Sequence, residues 1–288
     1  MEHKTCLICN SQNLKTLGNY QKAFLCQCKN CDFIFSVRIP TNEELEKHYD
    51  GYGRNDYLSP ITVKRYHEIL DSFEPYRKTN KIIDVGCGIG YFLVEAKKRG
   101  WEVYGSEFTE TAIKINEEKG IKMEKGELNM SNYEIASFDI ITSFEVLEHI
   151  NNPQEEINKF FQLLRKGGLL YFTTPNFNSI ERYYLRENYT NICYPEHLSY
   201  YTKRTMNKLL TEIGFVKKRI FTYGISVTII KNSKFAANEK QVSEGNTDDK
   251  IRNMTEGSIF GSYIKKNINY FLNLFSIGNS LKGYYIKA

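Results

Sequence analysis

Two Cys-x-x-Cys pairs, Cys6/Cys9 and Cys28/Cys31, stand close together at the start of the chain. Four thiolates at this spacing suit the tetrahedral preference of Zn²⁺. Cys26 competes for the third position, although Cys28 alone keeps the two-residue spacing to Cys31. A module as small as residues 1–38 folds only with such a metal, so the cluster predicts a zinc ribbon with a structural role. A second group is Ile82-Ile83-Asp84-Val85-Gly86-Cys87-Gly88-Ile89-Gly90, a strand pattern running into a glycine-rich turn. Such a turn lets backbone approach a bound ligand closely at the carboxyl end of a strand. A dinucleotide fingerprint would place its third glycine where this chain has Tyr91, so the turn suits a ligand without a pyrophosphate. Glu107 ends the next strand pattern, where a carboxylate can accept from both hydroxyls of a ribose.

Two histidines have neighbours suited to proton transfer. His197 lies in Tyr194-Pro195-Glu196-His197, where a carboxylate can orient the imidazole and a phenol can add a second hydrogen bond. His149 is followed by Asn151-Asn152-Pro153 and suits either a side chain that fixes the start of a helix or a catalytic base.

The elements that must position these groups alternate between strand and helix periodicity, which predicts an α/β fold with a doubly wound, mostly parallel sheet. Strands are expected at Lys81–Val85, Glu102–Ser106, Ile121–Lys125, Phe138–Ser143, Leu169–Thr173, Phe215–Thr222 and Leu281–Lys287, which makes seven. Ile157, Phe160, Phe161 and Leu164 recur at helical spacing, as do Met206, Leu209, Leu210 and Ile213, with Gly214 as the stop. Residues 39–78 read as a helical segment rich in aromatics, with Tyr49, Tyr52, Tyr57 and Tyr66, suited to capping a pocket or to ordinary packing. Residues 79–288 form the main domain, carrying a polar insertion at about 232–256. After it, Ile264, Ile268, Phe271, Leu272 and Phe275 form an amphipathic stripe expected to dock its apolar face onto the domain, with a membrane-surface helix as the alternative reading.

The chain resembles class I S-adenosylmethionine-dependent methyltransferases over most of residues 80–230. Asp84-Val85-Gly86-Cys87-Gly88-Ile89-Gly90 is similar to their first motif. Phe138-Asp139-Ile140-Ile141 through Phe144 and Glu145-Val146-Leu147-Glu148-His149 is similar to their fourth-strand motif. Leu164-Arg165-Lys166-Gly167-Gly168 with Thr174-Pro175-Asn176 resembles the fifth-strand region. The resemblance implies S-adenosylmethionine as donor, with Asp84 near its methionine amino end, Gly86, Gly88 and Gly90 lining the turn, and Glu107 on the ribose. It also implies Glu127 and Leu128 near the adenine, with Phe144 part of the same site.

The order of cysteine module, tyrosine-rich segment and main domain resembles bacterial zinc-ribbon methyltransferases that modify sugars or surface glycans. Their catalytic loop is similar to Tyr194-x-Glu196-His197. Those that methylate carbon carry a further large C-terminal domain not found in this sequence, which favours a hydroxyl acceptor.

Composition sets the outer limits. With 41% hydrophobic and 25% charged residues the 288-residue chain can bury a full core. No apolar run is long enough to span a bilayer, and the polar start does not read as a secretory signal, so a cytoplasmic protein is expected. A net charge of +5, spread along the chain, gives no nucleic-acid tail. The sequence thus predicts an O-methyltransferase acting on a small molecule, a sugar or glycan precursor. A sugar C-methyltransferase, a nicotinamide-dependent oxidoreductase and a nucleic-acid-binding ribbon protein are the rival readings.

Overall fold

The computed structural model describes residues 1–41, 43–45, 58–227, 229–230 and 259–288. Tyr49, Tyr52, Tyr57 and the polar insertion lie outside them. By contacts the chain divides into two compact units, one of Met1–Gly51, Thr174–Met206 and Phe221–Lys282, the other of Tyr52–Thr173, Asn207–Ile220 and Gly283–Ala288.

The first unit is built on an antiparallel sheet of β1 (Leu14–Thr16), β2 (Leu25–Cys28), β3 (Ile34–Ser36) and β9 (Ser199–Tyr200), in that order. The cysteine module thus reaches beyond residues 1–38, because β9 returns from far along the chain to pair with β3. The cause is hydrophobic: Leu25 and Ile34 need a cover, and Phe177 and Tyr200 supply it in one buried cluster. Phe33, Phe35 and Tyr201 add a second aromatic contact across the same strands.

The second unit holds the core of a seven-stranded sheet. Its strands are β4 (Lys81–Val85), β5 (Glu102–Glu107), β6 (Lys122–Lys125), β7 (Phe138–Phe144), β8 (Leu164–Pro175), β10 (Phe215–Tyr223) and β11 (Ser280–Lys287), in spatial order β10-β11-β8-β7-β4-β5-β6. The pairs β4/β5, β5/β6, β4/β7 and β7/β8 are parallel. The expected α/β architecture is therefore the observed one. β8 starts earlier than the expected Leu169, because the Arg165–Gly168 segment stays alongside β7 as an irregularity between Phe138/Leu164 and Ile140/Leu169.

Helices α1 (Pro60–Phe73), α2 (Tyr91–Lys98), α3 (Glu110–Glu118), α4 (Pro153–Leu163) and α6 (Lys203–Ile213) belong wholly or mainly to this unit, whereas α5 (Ile180–Leu185) and α7 (Ile259–Leu274) belong to the first. Capping explains their starts: Ser59 accepts from the Thr62 N–H ahead of Pro60, and Asn152 accepts from the Glu155 N–H ahead of Pro153. Phe92, Leu93, Ile82, Ile140 and Tyr171 form the buried centre between helices and sheet, with Phe73 of α1 joining them. Asp139, fully buried, ties the linker to the sheet by accepting from the backbone N–H groups of Lys78, Thr79 and Asn80 and pairing with Arg165 at 2.5 Å. Among the described residues no helix is long and apolar enough to cross a membrane.

The stripe of α7 departs from expectation. Leu272 is buried, but Ile264, Ile268, Phe271 and Phe275 are exposed, so the apolar face is turned outward rather than docked. The inward positions are held by hydrogen-bonded asparagines instead: Asn273 accepts from the Thr222 N–H and Asn269 from the Gly224 N–H.

Candidate active site

The strand order reverses between β4 and β7, and ligands of open parallel sheets bind at the carboxyl ends beside such a switch point. Both loops there adopt the left-handed backbone that close approach demands. Gly86 adopts φ +69, and a Cβ on it would lie 2.5 Å from a methyl group of Val146 in the loop after β7. Gly90 adopts φ +72, and its Cβ would meet the Asn116 side-chain oxygen at 2.1 Å. Gly88 shares the left-handed conformation at φ +56. Glu145, not a glycine, also lies there at φ +52, held by its N–H donating to the Thr173 carbonyl.

The turn is clamped by side chains that local sequence gave no reason to select. The Asn116 amide donates to the Gly88 carbonyl at 2.7 Å, and Lys119 donates to the Ile89 carbonyl at 2.6 Å while lying over the Tyr91 ring. Asn116 sits on α3 and Lys119 directly follows it, 28 and 30 residues after their partners, so only the fold brings them together.

Glu107 ends β5 with its carboxylate already oriented. One oxygen accepts from the Gly88 N–H at 3.0 Å, and the other accepts from the N–H groups of Phe108 and Thr109 and from the Thr109 hydroxyl. The carboxylate is therefore fixed in orientation before any ligand arrives, with Oε1 taking three of these contacts and Oε2 one. Phe108 beside it is 70% exposed and offers an open ring face that sequence reading did not single out. Asp84 is buried and accepts from the Thr142 hydroxyl at 2.7 Å. Burial pushes its carboxyl up to about 7; the Thr142 hydrogen bond opposes that rise and the Glu107 charge adds to it. The Tyr66 phenol of α1 is pushed up to about 12 by burial, with the charges of Asp84 and Tyr91 adding.

The other residues implied for the donor fall into different settings. Leu128 is buried, whereas Glu127 is exposed and paired with Lys159 at 3.4 Å. Phe144 is half-buried within an aromatic group, its ring 4.9 Å from Phe92 and 5.3 Å from Tyr171. His149 ends a short 3₁₀ turn, Leu147–His149, with its Nε2 3.9 Å from Glu148.

In the first unit the sulfur atoms of Cys6, Cys9, Cys28 and Cys31 lie within 4.8 Å of one another, and the pairs Cys6/Cys31 and Cys9/Cys28 are 3.4 and 3.5 Å apart. Zn–S bonds of about 2.3 Å in a tetrahedron require sulfur separations of roughly 3.8 Å, so the donor set fits a zinc ion. Burial pushes the Cys6 thiol up to about 11 and lifts Cys31 further; against burial, hydrogen bonds from the Ser11 backbone and Asn30 bring Cys9 down to about 7. Such a cluster holds four thiolates only when a cation compensates them. Cys26, buried on β2 and pushed up to about 12 by burial, is not among the four.

The loop before β9 arranges its groups differently from the sequence expectation. The Tyr194 hydroxyl donates to Glu44 at 3.2 Å, and Arg38, paired with Glu44 at 2.6 Å, lies over the Tyr194 ring. Tyr194 is thereby an anchor of the loop. His197 Nδ1 is 2.7 Å from the Asn191 carbonyl, an acceptor that requires the proton on Nδ1, so that in the neutral ring the lone pair is on Nε2. Glu196 accepts from the Cys193 thiol at 3.6 Å, and its carboxylate lies within 4.8 Å of a His197 ring nitrogen. The orienting group found for Nδ1 is thus a backbone carbonyl, which no side-chain pattern announces.

Comparison with known proteins agrees with this geometry. A family described as a methyltransferase domain matches residues 58–218. A ubiquinone biosynthesis O-methyltransferase of Azoarcus sp. is 32% identical over 106 residues, covering 34% of this chain and 45% of that protein. One of Coxiella burnetii is 32% identical over 127 residues, 42% of this chain and 52% of its own. The chain spans about half the length of these curated relatives. Among solved structures, an S-adenosylmethionine-dependent methyltransferase from Archaeoglobus fulgidus superposes with TM-score 0.53 at 18% identity, covering 84% of this chain and 99% of that one. A geranyl diphosphate C-methyltransferase from Streptomyces coelicolor gives 0.53 at 13% identity, over 86% and 87% of the two chains. These structures share the fold. With its glycine turn and the Glu107 carboxylate beside the switch point of a seven-stranded sheet, and the family match over more than half its length, the chain belongs to the methyltransferase-domain family.

Proposed function

We propose that the protein transfers a methyl group from S-adenosylmethionine to a hydroxyl of a small molecule, a sugar or glycan precursor. The observation that carries the donor half is Glu107, its carboxylate fixed by four hydrogen bonds beside the glycine turn at the end of β5. The sulfonium supplies an electrophilic methyl: its S–CH₃ bond breaks as the acceptor oxygen forms the new C–O bond, and a neutral thioether leaves. In this reading His197 Nε2 takes the hydroxyl proton, while Asn191 holds the imidazole in the required tautomer. Asp84 receives the donor's amino end, and Leu128 with Glu127 borders its adenine. The curated relatives are named as O-methyltransferases, which supports a hydroxyl acceptor without identifying it. The cysteine similarity and the His197 loop support the sugar class.

The experiment is transfer of labelled methyl from the donor to a panel of sugar nucleotides, with a catechol and an ethanolamine as other acceptors. Label on a sugar hydroxyl is the expected result; label only on the catechol or the amine would overturn the sugar class while leaving the donor intact.

Zinc in this reading is structural and held by Cys6, Cys9, Cys28 and Cys31. Elemental analysis is expected to find about one zinc per chain. Cys28→Ser should lose the metal and lower the unfolding temperature of the first unit, whereas Cys26→Ser should keep both. The reverse pattern would exchange the two ligands.

A further inference from the structure

The loop before β9 gathers three metal-type donors within five consecutive residues. The Cys193 sulfur, a Glu196 carboxylate oxygen and a His197 ring nitrogen lie within 4.8 Å of one another, and all three side chains are half-buried. A tetrahedral zinc ion with bonds of about 2.0–2.3 Å separates such donors by roughly 3.4–3.6 Å. Cys193 and Glu196, at 3.6 Å, already stand at that spacing, and a modest side-chain rotation closes the remainder. The backbone that carries them is closed by the His197 N–H, which donates to the Cys193 carbonyl at 2.8 Å. It is pinned on either side as well: the Tyr200 hydroxyl donates to the His197 carbonyl at 2.9 Å, and Tyr194 is held by Glu44. Donors so placed before a ligand arrives lower the ordering cost of binding one.

The chemistry of the donors selects the ion. Thiolate and imidazole favour zinc-class ions over magnesium or calcium, which take oxygen ligands. A thiolate and a carboxylate bring two negative charges, which balance a divalent cation, and the thiol proton leaves to solvent as the Cys193–metal bond forms. The imidazole is oriented as metal-bound histidines are, with Nδ1 donating to the Asn191 carbonyl and the lone pair of the neutral ring on Nε2. Three protein donors leave a fourth position open, unlike the closed set of Cys6, Cys9, Cys28 and Cys31. With one ligand fewer the loop is the weaker site, filled by added metal while the purified chain keeps the single zinc of the four cysteines.

We propose that Cys193, Glu196 and His197 form a second binding site for a zinc-class divalent ion, whose arrival takes the His197 lone pair away from the acceptor proton. The binding is independent of the methyl acceptor; its effect on rate rests on His197 as the base. The probe is cobalt(II), added to full-length protein whose four-cysteine site is already filled with zinc. One cobalt per chain is expected beside a retained zinc, with a thiolate-to-cobalt charge-transfer band in the near ultraviolet. Cys193→Ser should abolish the band. Glu196→Gln should keep it while weakening affinity at least about tenfold, since even changes to the groups that orient a ligand cost about 10–100-fold. Added zinc should slow methyl transfer by roughly 10²–10⁴-fold at saturation, the loss expected for His197→Ala, and a weak chelator should restore it. In Cys193→Ser, measured against that variant's own zinc-free rate, the half-inhibiting zinc concentration should rise at least about tenfold. No cobalt beyond the zinc, or a band that survives Cys193→Ser, would overturn the site. A bound ion with an undiminished rate would keep the site but overturn its hold on the rate, and with it His197 as the base.

Discussion

The glycine turn after β4 and the loop before β9 carry the two halves of the proposed chemistry, and they are built on opposite principles. The turn is fixed by positive φ at Gly86, Gly88 and Gly90, a carboxylate that grips a turn N–H, and the Asn116 and Lys119 side chains that grip its carbonyls. The 189–197 loop is fixed by long-range side-chain anchors such as Tyr194 to Glu44, and its histidine is oriented by a carbonyl within the loop itself. A binding site made of backbone is rigid before the ligand arrives, so its variants should act on affinity. A loop that positions one proton acceptor should act on rate.

The largest effect that separates the two regions is expected at His197. His197→Ala should lower kcat by roughly 10²–10⁴-fold, the scale of general-base catalysis, with the affinity for S-adenosylhomocysteine measured by calorimetry unchanged. The acidic limb of the pH–rate profile should vanish with it. Asn191 cannot be tested by side-chain change, because its carbonyl is the acceptor; Tyr194→Phe is the usable probe of the loop, and a rate loss smaller than that of His197→Ala is expected from a loosened anchor. If His149→Ala removes the acidic limb and His197→Ala does not, the loop loses its role and the contrast between the two regions collapses.

The next effect in size belongs to the turn. Glu107→Ala should weaken S-adenosylhomocysteine binding by about 1.5–3 kcal/mol, the value of hydrogen bonds to a charged acceptor. Part of that loss comes from freeing the Gly88 N–H, which the carboxylate also holds. Glu107→Gln keeps one acceptor oxygen and should fall between the two. With saturating donor, kcat in both variants should stay close to wild type; a large drop there would mean that the turn positions the reacting groups as well as the ligand.

The same contrast governs what the sequence disclosed. Strands β4, β5 and β7 start at their expected residues, because buried parallel strands leave apolar runs that local composition reveals, and β10 and β11 start within a residue of theirs. The Asp84–Gly90 turn is legible for the same reason, since its glycines satisfy constraints within seven residues. Asn116 and Lys119 escaped because the carbonyls they satisfy lie about 30 residues away. β9 escaped because a two-residue strand has no periodicity, and its pairing depends on the apolar face that β3 presents. In α7 the hydrophobic stripe was visible but its direction was not: asparagines that satisfy backbone groups of β10 and the turn after it decide which side faces inward.

The smallest effect, and the sharpest test of a site fixed before its ligand arrives, is the pH dependence of donor binding. The buried Asp84 carboxyl is raised from 3.8 to about 7. The folded protein therefore holds this proton more tightly than the unfolded chain. The stability that Asp84 contributes is full below about 4 and is lost as pH rises through about 7, where a buried charge appears. A ligand ammonium reverses that preference by favouring the carboxylate. S-adenosylhomocysteine affinity should then fall as pH drops below about 7, by at most tenfold per unit, or ~1.4 kcal/mol. Above that pH it should level off, unless the ligand's own amine begins to titrate. Asp84→Asn keeps an acceptor for the Thr142 hydroxyl but cannot ionise. Its affinity should be weaker than wild type at pH 8 and flat across pH 5.5–7, and its unfolding temperature at pH 8 should be no lower than wild type because no charge is buried. A variant that still shows the wild-type slope would assign the titration to another group and leave Asp84 a structural partner of Thr142.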